Sequence, residues 1–447
     1  MKKHLIYIIT ILVTILTSCS SDYRNAIPSD STALISIDAT DEELGKRLSL
    51  LNDLLDLDDP KESGIDFRDK VYLFETADGN LGLCAKVHDD KDLREVFVNL
   101  EKEGKAHEES ERQKCNFFTV ADKFIAGYNT NTLLIMGPVV AAAKGEAINL
   151  IARYLNQEAE DGIVGSPMMD KLDSLPSAMS IVAQATALPK QLSSVLTLGM
   201  PKDADPSQCI LAADIDFKGE VIFIQSEPIS FNPQLNKKLQ SAYASLRPIG
   251  DKYLHSLSQK AIGGLFANIK GDDFLPLLQQ SQSIWALLAG INAAIDMNAI
   301  LKSIDGNVLI SVPSFSVNSI GISLAAELAD NKFLNDIDYW KQSVPAGSKL
   351  AEWQKNAYCY TSDNMSFYFG TTDGTKKEFY SGPTQAEAIA SIHKTTTPLD
   401  KDVIASVAGK RLALIVSISA LLPEKATMST MMLPQMLKLR TVVYTVK

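Results

Sequence analysis

The sequence predicts an α+β protein made of two tandem copies of one unit, each a mostly antiparallel sheet with helices on one face. Three observations carry this. First, the chain is self-similar at a fixed spacing: Leu83–Val96 aligns without gaps on Leu324–Ile337, 241 residues on, with five of fourteen positions identical. Second, short apolar alternating runs are punctuated by helical ones, the pattern of a meander with helices laid against it. Third, no Gly/Ser-rich stretch separates the copies, so the segment between them is predicted to be a bracing helix rather than a flexible linker.

The same spacing carries Gln113-Lys114 onto Gln354-Lys355 and Asp122 onto Asp363. With small gaps, Gly137-Pro138 falls on Gly382-Pro383, Ala187-Leu188-Pro189 on Leu421-Leu422-Pro423, and Asp41–Leu44 on Asp272–Leu275. Ala33–Asp38 and Leu265–Ile269 read as first strands, each followed by an acidic helix start. Lys70–Thr76 and Asn80–Val87 flank Asp78-Gly79, a hairpin signal. Asp89-Asp90 then caps a helix whose Leu93, Val96 and Leu100 recur at three- and four-residue spacing. Strands are predicted at Cys115–Val120, Lys123–Tyr128 and Leu133–Met136, and Pro138 is placed at the start of a helix through Leu155. A strand at Ala178–Ala185 and a hairpin at Gln208–Gln225 close the first copy. Asn232-Pro233 opens the bracing helix, with Leu235, Leu239, Ala242 and Leu246 on one stripe and His255 at its end. The second copy finishes with a strand at Leu437–Val446. Ser283–Ala294 is apolar but short, and reads as a buried helix. The predicted divisions are 1–18, 19–26, 27–230, 231–257 and 258–447.

Function starts from the N-terminus. Lys2-Lys3-His4 precedes an apolar or small run from Leu5 to Leu16, a signal peptide too short to span a bilayer. Leu16-Thr17-Ser18-Cys19 resembles the bacterial lipobox. The resemblance implies cleavage before Cys19, residues 1–18 being removed, and acylation of Cys19, with 19–26 a polar tether; two or more acyl chains make such anchoring stable. Ser at the second position after the cysteine favours the outer membrane by the enteric rule, and a periplasm-facing address is expected, with surface exposure as the alternative. The expected partner is therefore the membrane, through the acyl chains.

The lipobox, Ile27-Pro28-Ser29-Asp30 before the first strand, and Gly64-Ile65-Asp66-Phe67 before another resemble large Bacteroidota envelope lipoproteins known only as a domain of unknown function. The resemblance covers essentially the whole chain after the leader; it implies envelope location and carries over no catalytic residue.

The 447 residues contain 43 basic and 54 acidic side chains, a formal charge of −11, which repels phosphate backbones and argues against nucleic acid as a partner. Cys84, Cys115, Cys209 and Cys359 remain after Cys19, and Cys84 with Cys115, expected on neighbouring strands, is the candidate disulfide; the copy-two equivalents, Ala325 and Asn356, favour free buried thiols instead. His88-Asp89-Asp90 and His107-Glu108-Glu109 place histidine beside acids, but adjacent residues diverge, so no metal is assigned. Asp56–Glu62 and Asp214-Ile215-Asp216 lack the ligand spacing of a calcium loop, and Asp214 with Asp216 reads as the wet face of a hairpin. Met428, Met431, Met432 and Met436 lie among leucines and read as core filling. No GxSxG, GxxxxGK[ST] or GxGxxG motif is present, and no catalytic residue or cofactor is assigned. The leading expectation is a non-enzymatic, lipid-anchored binding or interaction module, taking a protein partner, a glycan or an apolar ligand between its two units. The rivals are an envelope hydrolase with a scattered active site and a periplasmic assembly or chaperone factor.

Overall fold

The structure is a computed structural model and describes residues 22–42, 44–45, 63–109, 111–188, 204–280, 295–313, 315–316, 319–363, 365–418 and 439–447. Contacts divide the chain into two compact units, residues 1–40 with 51–170 and residues 41–50 with 171–447.

In the first unit, β1 (Ala33–Ile37) pairs with β2 (Val71–Glu75), which returns as β3 (Leu81–Lys86). The Asp78-Gly79 turn forms as expected, with Gly79 at φ 78° and its N–H donating to Thr76 O at 2.9 Å. Helix α1 (Asp90–Lys102) starts where Asp89 accepts from the N–H groups of Lys91 and Asp92. Then β4 (Ala106–Glu108), β5 (Asn116–Val120), β6 (Phe124–Tyr128) and β7 (Thr132–Gly137) follow. Strand β7 returns to pair with β3, so the order is β1-β2-β3-β7-β6-β5-β4, antiparallel throughout. A three-residue loop, Ala121–Lys123, joins β5 to β6, with Ala121 and Asp122 both in the left-handed region at φ 49° and 58°.

Helices cover both faces of this sheet, a correction to the expected single face. Phe97 of α1 stacks on Phe118, 4.9 Å between ring centres, and on Tyr128 at 5.8 Å. On the opposite face, Gly127 leaves room for Phe117 and for Ile151 of α2 (Lys144–Leu155). Buried neighbours such as Phe117 and Phe118 are what two covered faces require. Helix α2 begins at Lys144, later than Pro138 suggested, after a 3-10 turn at Ala141–Ala143.

Helix α3 (Pro167–Asp173) spans the sequence division between the units. In the second unit, β8 (Met179–Gln184), β9 (Ile210–Lys218) and β10 (Val221–Ile229) form an antiparallel meander. Helix α4 (Pro233–Ala244), strand β11 (Gly263–Lys270), and helices α5 (Gly271–Gln280) and α6 (Met297–Lys302) lead to β12 (Ile304–Val312). After a small ribbon, β13 (Phe315–Ser316) with β14 (Ser319–Ile320), come β15 (Ser323–Leu328) and α7 (Ile337–Ser343). The meander β16 (Lys349–Gln354), β17 (Ala357–Ser362), β18 (Met365–Thr371) and β19 (Lys377–Gly382) follows, with α8 (Gln385–Ala390), α9 (Lys401–Val407), β20 (Leu412–Ser417) and β21 (Thr441–Val446). The strand order is β8-β9-β10-β21-β20-β11-β12-β15-β19-β18-β17-β16, and only β10–β21 is parallel. That parallel pair is why β8–β10 belong to the second unit by contacts, although the sequence repeat groups them with the first copy.

The expected bracing helix is shorter than its apolar stripe. It ends at Ala244, Leu246 and His255 lie beyond it, and the chain at 247–257 runs as bridges and turns. Pro248 cannot donate a helical N–H and disfavours helical backbone at the residue before it. The apolar segment 283–294 lies outside the described residues; among the described residues no helix is long and apolar enough to cross a membrane.

Candidate functional site

Cys19, Asp56–Glu62 and the methionines at 428, 431, 432 and 436 lie outside the described residues. The candidate disulfide is not formed: Cys84 and Cys115 are both free and buried. Cys84 on β3 faces Leu134 on β7, which faces Gly127 on β6 and then Phe117 on β5, next but one to Cys115. Two strands therefore intervene, and three inter-strand steps of about 4.8 Å place the backbones about 14 Å apart, well beyond a disulfide's reach. Each thiol has another partner. Cys84 Sγ donates to Tyr23 O at 3.4 Å, and Cys115 Sγ accepts from Asn156 Nδ2 at 3.4 Å. Burial pushes the Cys84 and Cys115 thiols up, and that of Cys209 to about 12. These are unreactive packing cysteines.

Among the described residues no three His, Cys, Asp or Glu side chains gather as a metal cluster would. Asp89 is occupied in capping α1, and His107 Nε2 lies 3.7 Å from exposed Asp122. Asp214 departs from its expected wet face. It is buried and pairs with Lys447 at 3.3 Å, while Asp216, on the same face of β9, is exposed.

A groove the sequence did not single out runs between α4 and α5. Asn232 caps α4, its Oδ1 accepting from the N–H groups of Gln234 and Leu235, with Pro233 fixing the first turn. Leu239, Ala242 and Tyr243 turn the apolar stripe of α4 inward, Leu239 against Ala185 and Cys209. That leaves Gln234, Lys237, Lys238, Ser241 and Ser245 along an open groove of about 680 Å³, faced by Asp273 and Leu277 of α5. Lys237 and Lys238 have no ion-pair partner among the described residues, whereas Asp273 lies 4.0 Å from Lys270. Ser241 Oγ donates to Lys237 O and Ser245 Oγ to Ala242 O, so neither hydroxyl meets a base. Two ammonium groups in one groove with Ala242 and Leu277, without an ion-pair partner among the described residues, can hold a negative group beside an apolar one. A helical stripe with Lys at adjacent positions was the available signal, but only α5 makes it a groove.

A second polar cluster is also new. Glu327 on β15 and Glu378 on β19 are direct cross-strand neighbours. Glu378 Oε1 accepts from Tyr253 Oη at 3.0 Å and lies 3.1 Å from Lys252 Nζ. Glu327 Oε2 accepts from Asn307 N and Nδ2 at 2.8 and 2.7 Å, and Asn307 Oδ1 takes the Gly250 N–H at 2.6 Å. Burial, then the Glu378 charge, pushes the Tyr253 phenol well above its ordinary range. The carboxylates are thus committed to clamping residues 250–253 onto the sheet. Their arrangement is that of a brace, with every strong contact made to the protein itself.

No curated protein matches the sequence. Solved structures of TP0453 are similar at a low level. Crystal form IV is 9% identical, covering 45% of this chain and 78% of that one, with a TM-score of 0.29. Crystal form I is 7% identical, covering 83% and 96%, with a TM-score of 0.26. Likeness at this level carries neither a shared fold nor a shared activity. A family model matches residues 49–404, and the chain belongs to that family, Domain of unknown function (DUF4836).

Proposed function

We propose that the protein is a lipid-anchored envelope binding module, acylated at Cys19, built from two copies of one unit, whose groove between α4 and α5 takes a partner segment with an acidic group beside an apolar one. The observation that carries the binding role is the groove itself, lined by Lys237 and Lys238, which have no ion-pair partner among the described residues, and by Ala242 and Leu277. The anchor rests on the lipobox sequence Leu16–Cys19.

Support for duplication comes from topology. The order β1-β2-β3-β7-β6-β5-β4 recurs as β11-β12-β15-β19-β18-β17-β16, with α1 and α7, then α2 and α8, at matching positions. Tyr23 and Tyr253, both buried, each stand ten residues before the first strand of their copy. The isolated bridge Pro28–Gly162 has a counterpart in Ser258–Pro398.

A photo-crosslinker at Ser241 in cells tests the groove. Charge-dependent capture is expected, abolished by Lys237→Glu with Lys238→Glu; capture unchanged by both reversals, or equal to that from an exposed control at Lys401, overturns the groove reading. Cys19→Ala is expected to leave unprocessed precursor without acyl label, and normal processing and labelling would refute the anchor.

A further inference from the structure

The first described residues fix which end of the first unit can approach a membrane. Asp22 chelates its neighbour Arg24, accepting from Nε at 3.0 Å and Nη2 at 2.6 Å. Tyr23 is buried, donating from Oη to Lys70 O at 2.6 Å and accepting at its carbonyl from Cys84. The chain then crosses the sheet, so that Thr32 N–H reaches Glu75 O at the other end of β2, before β1 runs back with Ile37 opposite Val71. The described chain therefore begins at the Lys70/Lys86 end of the sheet. Three residues from Cys19 to Asp22 span at most about 11 Å however they are arranged. The opposite end, where Leu81 pairs with Gly137, lies five residues along β3, about 17 Å away at 3.3–3.4 Å per residue.

From this we infer that, with Cys19 acylated, the first unit stands on the bilayer by its Lys70/Lys86 end. The partner is the lipid headgroup layer, and the inference rests on the acylation proposed above. The surface presented is the loop Asp66–Lys70 with the β6–β7 turn at Thr130. Its charges suit a polar interface: Arg68, Lys70 and Lys86 against Asp66 and Asp69, with Arg68 77% exposed. The exposed apolar tip, Leu81 and Val140, points away from the lipid, although exposed hydrophobic side chains would by themselves suggest insertion.

The test uses the full acylated chain in phosphatidylethanolamine–phosphatidylglycerol vesicles carrying a headgroup-level quencher. Fluorophores are attached at single cysteines, Arg68→Cys, Thr130→Cys, Asp78→Cys or Val140→Cys; Cys84, Cys115, Cys209 and Cys359 are buried and stay unlabelled in the folded protein. Quenching several-fold stronger at 68 and 130 than at 78 and 140 is expected. Equal or reversed quenching on acylated protein overturns the orientation alone. Absence of acyl incorporation, read separately by mass, removes the anchor reading and this inference with it.

Discussion

Two glycines with nearly the same backbone separate strain from crowding. Gly64 has φ 74° and Gly79 φ 78°, both in the left-handed region. Either one changed to alanine incurs the left-handed penalty of an L-residue, about 1 kcal/mol. At Gly79 a Cβ would meet nothing within 4 Å, so Gly79→Ala is expected to cost only that. At Gly64 the same Cβ would stand 2.3 Å from Asp89 O, 2.4 Å from Leu93 N and 2.9 Å from Leu93 Cβ. Gly64 O also accepts the N–H groups of His88 (2.7 Å) and Asp89 (3.1 Å), so it cannot retreat without disturbing the cap of α1. Overpacking of this kind adds roughly 1–3 kcal/mol, making Gly64→Ala about 3 kcal/mol in all. Urea unfolding followed by circular dichroism, with hydrogen exchange of the α1 amides, measures both. The three tryptophans lie beyond residue 280, so their fluorescence would not report on this unit. Equal losses for the two variants, or α1 amides as protected in Gly64→Ala as in the parent, would refute the close approach of this loop to α1.

Three further outcomes follow from the same geometry. Phe118→Ala should cost about 3–5 kcal/mol, because it opens the Phe97–Phe118–Tyr128 stack beneath α1, and a loss under 1 kcal/mol in urea unfolding would contradict that packing. The Arg68 guanidinium bonded to Asp66 holds that carboxyl at about 2, below its ordinary range. A depressed folded-state pKa means a contribution fully present above about pH 4 and lost as pH falls through about 2, so Asp66→Asn should flatten the decline in urea midpoint between those values; an unchanged slope would remove the pair from the acid response. Alkylation of the native chain at pH 8 should leave Cys84, Cys115, Cys209 and Cys359 unmodified and reach all four in urea without reductant, whereas a mass showing one bridged pair would restore a disulfide.

The sequence by itself determined the local elements, because their causes are local. Alternation along Val71–Glu75 and Leu81–Lys86, Asp78-Gly79 between them, and Asp89 before Leu93, Val96 and Leu100 each act within a few residues, although it is Phe97 rather than Val96 that α1 buries. The resemblance to a domain of unknown function was likewise legible in turns and strand starts, since Gly64 marks a backbone approach that admits no side chain. What only the tertiary structure decided depends on residues far apart in the chain. Strand β7 inserts beside β3, which separates Cys84 on β3 from Cys115, which lies just before β5. Strand β10 finds β21, more than 200 residues on, and so draws β8–β10 into the second compact unit, where the sequence self-similarity suggests a later division. The groove arises only where α5 faces the outward stripe of α4, and the Glu327–Glu378 brace only where two strands align in register. Periodicity says which side of an element is apolar; which distant element covers it is set by the packing of the whole unit.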